Sequence, residues 1–142
     1  VHTTEANKMA LAYRSSCYQK NGEVITSEVF RLEAGAYDDI QDKMVELMGR
    51  RRSKQPLEYP SAGSTFKRPE GQFAGKLIED CGLRGYTVGG AQVSEKHCGF
   101  VVNKGGATTE DIMSVIRHVQ HIVKEQTGYL LECEVKIIPY KE

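Results

Sequence analysis

The spacing of hydrophobic positions changes several times along the chain, and the first part has the two-residue period of strands. Residues 9–18 put one set of side chains on a single side of an extended segment: Met9, Leu11, Tyr13 and Cys17. After Asn21-Gly22 the alternation resumes over residues 23–35, with Val24, Phe30 and Leu32 on one face. Two such runs joined by Asn-Gly are typical of a β-hairpin, which we therefore expect at the start of the chain.

Helical spacing follows in three places. A helix is expected from Asp38, with apolar residues at Ile40, Met44, Leu47 and Met48 and a basic end at residues 50–54. A two-turn helix is expected at Leu77, Ile78 and Cys81, before Gly82. The clearest helix starts at a capping pair, Thr108 and Asp111, ends at Gly128, and has one apolar face: Ile112, Val115, Ile116, Val119, Ile122 and Val123.

Short strands are predicted between Tyr86 and Asn103, where Gly-Gly and a polar turn interrupt the apolar runs. A last strand is predicted over 129–138, with a buried face of Tyr129, Leu131, Cys133, Val135 and Ile137 and an opposite face of Glu132, Glu134 and Lys136. Residues 55–72 hold three of the four prolines and are expected to be an irregular loop. Without regular βαβ alternation, the pattern predicts an α+β domain whose antiparallel or mixed sheet packs with helices.

Composition narrows the function classes. The chain has 142 residues, 39% of them hydrophobic, which suits one domain or one domain plus a fragment. Nineteen basic residues balance nineteen acidic ones, so no overall field favours nucleic acid or a membrane surface. No apolar run approaches the roughly 20 residues of a spanning helix, and no signal peptide is evident. We expect a soluble, cytoplasmic piece of a longer protein, with four reduced cysteines, mostly in the core.

Several residue groups carry possible chemistry, each with a plainer alternative. Ser64 lies in a Gly-Ser loop beside Lys67 and Arg68, where an ordinary turn is the simpler interpretation. The loop is not a Gly-x-Ser-x-Gly elbow, and no histidine has a spacing that suggests a partner, so a hydrolase triad is not expected. Residues 50–54 could bind a diphosphate, or only compensate a helix end; nucleic-acid binding is a weaker alternative.

Two further groups stay open on the residues alone. His118 and His121 lie one helical turn apart, and a solvated helix surface is preferred over a zinc site because no third ligand is evident. Glu132 and Glu134 share one strand face, which is either solvated or lines a cleft. Composition and residue spacing alone therefore predict an α+β domain with a possible anion-binding site.

Longer motifs give a more specific result. The segments RRRSKQPLEYPSAGSTFKRPEG, AGKLIEDCGLRG, GGAQVSEKHCGFVVN, GGAT and LECEVKII stand in this order. Together they closely resemble the UDP-N-acetylenolpyruvoylglucosamine reductases, flavoenzymes of peptidoglycan precursor synthesis. The resemblance runs from about Tyr13 to Ile138. No tyrosine-bearing insertion stands between the predicted hairpin and the Ser64 loop, so the chain resembles the branch of the family without a substrate-covering loop, whose site should be more open.

The resemblance implies site residues by motif. Tyr-Arg-x-Ser matches at Arg14, Gly-Ser-x-Phe at Ser64 and Glu-x-Glu-Val at Glu134, and these motifs carry the family's catalytic arginine, serine and glutamate. Lys54 matches a position implicated in binding the UDP-sugar. Arg68 and Lys136 are added as substrate-binding candidates because Arg68 lies near Ser64 and Lys136 shares the strand face of Glu134.

The resemblance also implies the reaction. NADPH reduces bound FAD, and the reduced flavin passes a hydride to the enolpyruvyl group of UDP-N-acetylglucosamine enolpyruvate, giving the lactyl ether. Residues 1–35 would be the C-terminal strands of the FAD-binding domain and residues 36–142 the UDP-sugar domain. Most FAD contacts would lie in a missing N-terminal part, so this chain alone is expected to be inactive. No obligate protein partner, metal or nucleic acid is expected. A stand-alone nucleotide-sugar or anion-binding domain without redox activity is the alternative.

Overall fold

The computed structural model of the chain describes residues 1–12 and 15–138 and divides it into two compact units, Val1–Tyr37 and Asp38–Glu142. The first unit contains a 3-10 turn at Ala6–Lys8 and one short helix, α1 (Tyr18–Asn21). Residues 22–36 form neither helix nor strand, and every side chain among them is exposed.

The hairpin expected across residues 9–35 is wrong for the part of the chain that the structure describes. Asn21 is the last residue of α1, and Gly22 ends that helix with φ at +71°, so the Asn-Gly pair is a helix terminus and not a hairpin turn. The apolar residues of the second predicted strand stay exposed, including Val24 at 84% and Leu32 at 85%. A two-stranded hairpin is only marginally stable in water unless its apolar face packs on further structure. Here the apolar side chains of the second predicted strand are exposed to solvent.

The second unit begins with most of α2 (Tyr37–Lys54), which confirms the helix predicted from Asp38. Asp38 and Asp39 lie at its positive end, and basic residues lie in its last turn. Its apolar stripe, however, is exposed: Ile40, Met44, Leu47 and Met48 keep about half of their surface accessible, 45–61%. The helical period is therefore correct, but the stripe faces solvent in this chain.

Four antiparallel strands form one sheet: β1 (Ser61–Ser64), β2 (Thr87–Val88), β3 (Ala91–Val93) and β4 (Phe100–Asn103). Their spatial order is β1-β4-β3-β2. The strands predicted between Tyr86 and Asn103 are confirmed. β1 corrects the irregular loop predicted for residues 55–72, because the Ser-Ala-Gly-Ser run has weak strand propensity and becomes a strand only by pairing with β4.

Two helices cover one face of the sheet, α3 (Ala74–Asp80) and α4 (Thr109–Thr127). The predicted caps of α4 are confirmed: the Thr108 hydroxyl accepts from the Asp111 amide, the Asp111 carboxylate accepts from the Thr108 amide, and Gly128 closes the helix. The core between helices and sheet is apolar, and its largest fully buried side chains are Ile78, Val93, Val115, Ile116, Val119, Val123 and Leu131. The fold class is therefore α+β, as predicted. None of the helices in the described part of the chain is long and apolar enough to span a bilayer.

The last predicted strand is present only as a short pairing. Phe66 and Cys133 form an isolated antiparallel bridge, so the segment 131–135 lies beside the continuation of β1. Leu131 is fully buried, and Cys133 and Val135 are partly buried, as the alternation predicts. Tyr129 and Ile137 are exposed, against expectation, because the pairing ends before it reaches them.

The capping box of α4 gives a stability prediction. Thr108→Ala removes the oxygen that accepts the Asp111 amide and should lower the free energy of unfolding by about 1 kcal/mol. Urea unfolding followed by circular dichroism measures the change. Gln126→Ala, on the exposed side of the same helix, is the control and should leave the midpoint unchanged. An unchanged midpoint for Thr108→Ala would contradict the capping assignment.

The same box predicts a pH dependence. Hydrogen bonds from the backbone and side chain of Thr108 lower the pKa of Asp111 below its ordinary value. A carboxyl whose pKa is lower in the folded state stabilises the fold above its unfolded pKa, and this contribution is lost as the pH falls through the folded pKa. Asp111→Asn should therefore flatten the acid side of the stability curve, and an unchanged acid limb would contradict the assignment.

Candidate functional site

The first functional side chain is presented by an irregularity in β1. Ser61 pairs with Val102 and Ser64 with Phe100, so three steps along β1 match two steps along β4. Gly63 accommodates the extra residue with φ at +82°, the left-handed region that glycine adopts without a steric cost. Ser64 is exposed and, as the partner of Phe100, shares the face of the sheet on which the Phe100 side chain lies.

Thr65 fixes the chain immediately after this serine. It is buried, its hydroxyl accepts from the Val101 amide at 3.0 Å, and its own amide donates to the Gly99 carbonyl at 2.9 Å. On the other side, the Glu134 amide donates to the Thr65 carbonyl at 2.9 Å. The backbone around Thr65 is therefore held by two separate stretches of chain, and Glu134 lies beside it.

An ion pair extends this pairing by two residues. The Lys67 amide donates to the Glu132 carbonyl at 2.8 Å, and the Lys67 ammonium lies 2.9 Å from the Glu132 carboxylate. Both side chains are more than half exposed, so the pair contributes little to stability. It places a cation and a carboxylate two residues from the hydrogen bond between Glu134 and Thr65. Glu132 is thus an ion-pair partner rather than a freely solvated carboxylate.

The other candidates occupy separate positions. Arg68 donates from Nε to the Gln72 carbonyl at 3.3 Å, and its guanidinium lies 4.0 Å from the centre of the Phe73 ring. Lys136 is exposed, two residues beyond Glu134. Lys54 is the last residue of α2 and is exposed. Arg14 lies outside the described residues. The structure therefore joins Glu134 to Thr65, the residue after Ser64, through a backbone hydrogen bond, and it shows no contact of Arg68, Lys136 or Lys54 with this pair.

A groove of about 340 Å³ is lined by residues of β3, β4 and the segments next to them. We call the sheet face opposite α4 the outer face. Because Val93 and Val101 belong to the core, their neighbours Gln92 and Val102 point to the outer face and line the groove. Its walls carry two contacts, Lys96 with Glu58 at 3.3 Å and the Lys104 ammonium 3.8 Å from the centre of the Tyr59 ring. The pKa of Glu58 is lowered, mainly by a hydrogen bond with its own backbone and to a smaller extent by the hydrogen bond with Lys96.

His97 is a residue of this region that the sequence did not single out. Its ring meets the Phe100 ring edge-on with centroids 5.0 Å apart, and Phe100 is the partner of Ser64. No local signal identifies it, because the turn 94–99 that carries it reads as an ordinary polar turn. His118 also differs from expectation: its ring stacks on Tyr86 with centroids 4.1 Å apart, so it is packed rather than solvated.

No contact among the described residues identifies a flavin site. The groove is lined mainly by charged and polar side chains. We assign no FAD contact to this chain. All four cysteines are free thiols, and burial raises the pKa of Cys81, Cys98 and Cys133, which disfavours the reactive thiolate at these three positions. The chemistry available at the outer face is that of an exposed hydroxyl, carboxylates and cations.

Comparison with known proteins gives one consistent family. The family model for the C-terminal domain of UDP-N-acetylenolpyruvoylglucosamine reductase matches residues 55–138. A curated protein of that name from Clostridium perfringens (strain SM101 / Type A) is 60% identical over 131 residues, covering 92% of this chain and 43% of its own length. Another, from Agathobacter rectalis, is 57% identical over 136 residues, covering 96% and 43% respectively.

The fold is similar to that of a solved structure of the same name. The crystal structure of the UDP-N-acetylenolpyruvylglucosamine reductase from Thermus caldophilus superposes with a TM-score of 0.74 at 32% identity. The match covers 94% of this chain and 47% of that chain. The chain therefore spans less than half the length of the proteins that it matches.

The irregularity at Gly63 gives a further prediction. Gly63→Ala forces a Cβ into the left-handed region and should destabilise the second unit by about 1–2 kcal/mol. Gly63→Asn should cost clearly less, since asparagine tolerates that region better. Thermal unfolding of both variants beside the unchanged chain measures the difference. Equal stability of the alanine variant and the unchanged chain would show that Gly63 does not have this conformation.

Proposed function

Because the chain belongs to the UDP-N-acetylenolpyruvoylglucosamine reductase family, we propose that it is the UDP-sugar-binding part of such a reductase. The substrate would be UDP-N-acetylglucosamine enolpyruvate and the product its lactyl ether, UDP-N-acetylmuramate, in cytoplasmic synthesis of peptidoglycan precursors. The main support is the match over residues 55–138, together with the backbone hydrogen bond from Glu134 to Thr65, the residue after Ser64.

The proposal assigns residues 1–35 to the end of an FAD-binding domain and residues 36–142 to the substrate domain. Two observations support this division. Residues 23–35 have the alternation of a strand but are exposed, as expected for strands whose sheet belongs to another part of the protein. The α2 stripe around Met44 and Leu47 is likewise exposed. FAD and NADPH would be held mainly by residues outside this chain, and the chain alone would be inactive.

FAD held by residues outside this chain and reduced by NADPH would supply a hydride to the methylene carbon of the enolpyruvyl group. Negative charge would then develop on the α carbon and its carboxylate. A guanidinium can form two parallel hydrogen bonds with a carboxylate, the role proposed for Arg14. Glu134 in its protonated form would donate a hydrogen bond to the same group as its charge increases. Lys54, Arg68 and Lys136 would contact the remaining anionic groups of the UDP-sugar.

Ser64 would complete the reaction by giving its hydroxyl proton to the α carbon, which leaves a saturated lactyl ether. A free serine is a weak acid, so this transfer needs a strongly basic carbon acceptor and nearby positive charge. Lys67 and Arg68 follow Ser64 by three and four residues in the sequence and would provide that charge. The serine has the exposure that contact with a substrate requires.

Ser64→Ala tests the proposed reaction. The holoenzyme for the test is a chimera in which this chain replaces the matching 131 residues of the Clostridium perfringens relative. Loss of a general acid should lower turnover of the enolpyruvyl sugar by roughly a hundredfold or more. Reduction of the flavin by NADPH, followed by its absorbance in the absence of the sugar, should be unchanged.

Ser61→Ala is the matched control, since Ser61 lies in the same strand and pairs with Val102 rather than with Phe100. It should keep the turnover of the unchanged chimera. Turnover that survives Ser64→Ala would remove Ser64 from the proposed role. A chimera whose flavin is reduced by NADPH but not reoxidised by the sugar would contradict the proposed function itself.

A further inference from the structure

The segment that carries Glu134 lies at the border of the sheet. Residues 131–135 form no regular strand, and their pairing with residues 65–67 consists of one isolated bridge and two backbone hydrogen bonds, of 2.8 and 2.9 Å. Because β1 is the edge strand of the sheet, no further strand lies beyond this segment in the described part of the chain. A pairing this short holds the segment along one edge only, so contacts on the other edge determine how far it can shift.

The backbone groups of this segment alternate in direction. In an antiparallel pair, residues that bond to the partner strand alternate with residues whose backbone groups point away from it. The Glu132 carbonyl and the Glu134 amide point to residues 65–67. The Leu131 carbonyl, one residue earlier, therefore points to the opposite edge, where a neighbouring strand would ordinarily supply its donor.

Gln120 supplies that donor from α4. Its Nε2 donates to the Leu131 carbonyl at 2.7 Å, and the same nitrogen lies 3.7 Å from the sulfur of Cys133, a weak acceptor. A side-chain amide has the same kind of donor as a peptide group, so Gln120 takes the place of one hydrogen bond of a missing neighbouring strand. Both acceptors lie within the three residues that precede Glu134.

The helix that presents Gln120 is firmly held. The neighbouring Val119 and, one turn further, Val123 are fully buried in the core, and so is the Leu131 side chain. Gln120 itself is half-buried, which restricts its rotamers. The donor is therefore ordered before any ligand binds, and it ties the segment to the core of the domain.

We infer that Gln120 is a positioning residue for Glu134: its side-chain amide holds segment 131–135 from the edge opposite to residues 65–67. The inference rests on the proposed function, in which Glu134 donates a hydrogen bond to the substrate carboxylate as its charge increases. Such a donor helps only when it is aligned with the developing charge, so a displaced Glu134 loses more in the transition state than in the bound substrate. The juxtaposition that carries the inference is a core-anchored amide bonded three residues before Glu134.

Gln120→Met tests the inference in the chimera, because methionine has a similar length and no donor. The variant should lower kcat for UDP-N-acetylglucosamine enolpyruvate roughly tenfold and leave the KM nearly unchanged, as expected for an interaction lost in the transition state. Reduction of the flavin by NADPH should be unaffected. Gln126→Met is the matched control, since Gln126 is exposed on the same helix, and it should keep the kinetics of the unchanged chimera.

A second measurement needs no activity. The Glu134 amide donates to the Thr65 carbonyl, whereas the Thr65 amide donates to the Gly99 carbonyl on the other side. In the labelled 142-residue chain, Gln120→Met should speed hydrogen exchange of the Glu134 amide roughly tenfold by permitting local opening of its segment. Exchange of the Thr65 amide, followed by NMR in the same sample, should not change.

The outcomes separate the inference from the proposed function. An active chimera in which Gln120→Met leaves kcat unchanged or alters only the KM would overturn the role of Gln120 while the proposed function stands. Faster exchange at both amides together with a lower Tm would also overturn it, since Gln120 would then stabilise the whole domain. An unchanged chimera whose flavin is reduced but not reoxidised by the sugar would overturn the proposed function, and with it the role of Glu134 that Gln120 serves.

Discussion

The short antiparallel pairing between residues 65–67 and 132–134 is the constraint on which the candidate site depends. Two backbone hydrogen bonds form it, from Lys67 to Glu132 at 2.8 Å and from Glu134 to Thr65 at 2.9 Å. On the other side of the same backbone, the Thr65 amide and hydroxyl bond to the β4 region. The backbone of Thr65 therefore links the strand that carries Ser64 to the segment that carries Glu134.

The two faces of the sheet differ in their side chains and in what those side chains can do. On the inner face, fully buried aliphatic side chains of β3 and α4 stabilise the fold. On the outer face, Gln92 and the charged groove walls leave a polar surface that can accept a ligand. The irregularity at Gly63 places Ser64 on this outer face. The main core is therefore on the inner face and the proposed binding chemistry is on the outer face, where Phe100 and Val102 are also buried.

The sequence predicts the features that depend on neighbouring residues, but not those that depend on residues far apart in the chain. The capped helix α4 and the strands around the Gly-Gly turn follow from local patterns, and both are confirmed. The hairpin prediction was wrong because alternating apolar and polar residues form a strand only where a neighbouring strand can pair with them. Glu134 was singled out by family resemblance, since no local spacing relates residue 65 to residue 134. His97 was missed because the ring contact with Phe100 that places it leaves no pattern in the sequence.

The central claim is that the outer face between Ser64 and the groove binds the UDP-sugar. The most direct test is a titration of the isotope-labelled chain with UDP-N-acetylglucosamine enolpyruvate, in which the amide signals are followed by NMR. The account predicts saturable shifts concentrated at residues 63–68, 97–100 and 132–136. Absence of any saturable shift, or shifts confined to α4 and the opposite side of the sheet, would contradict it.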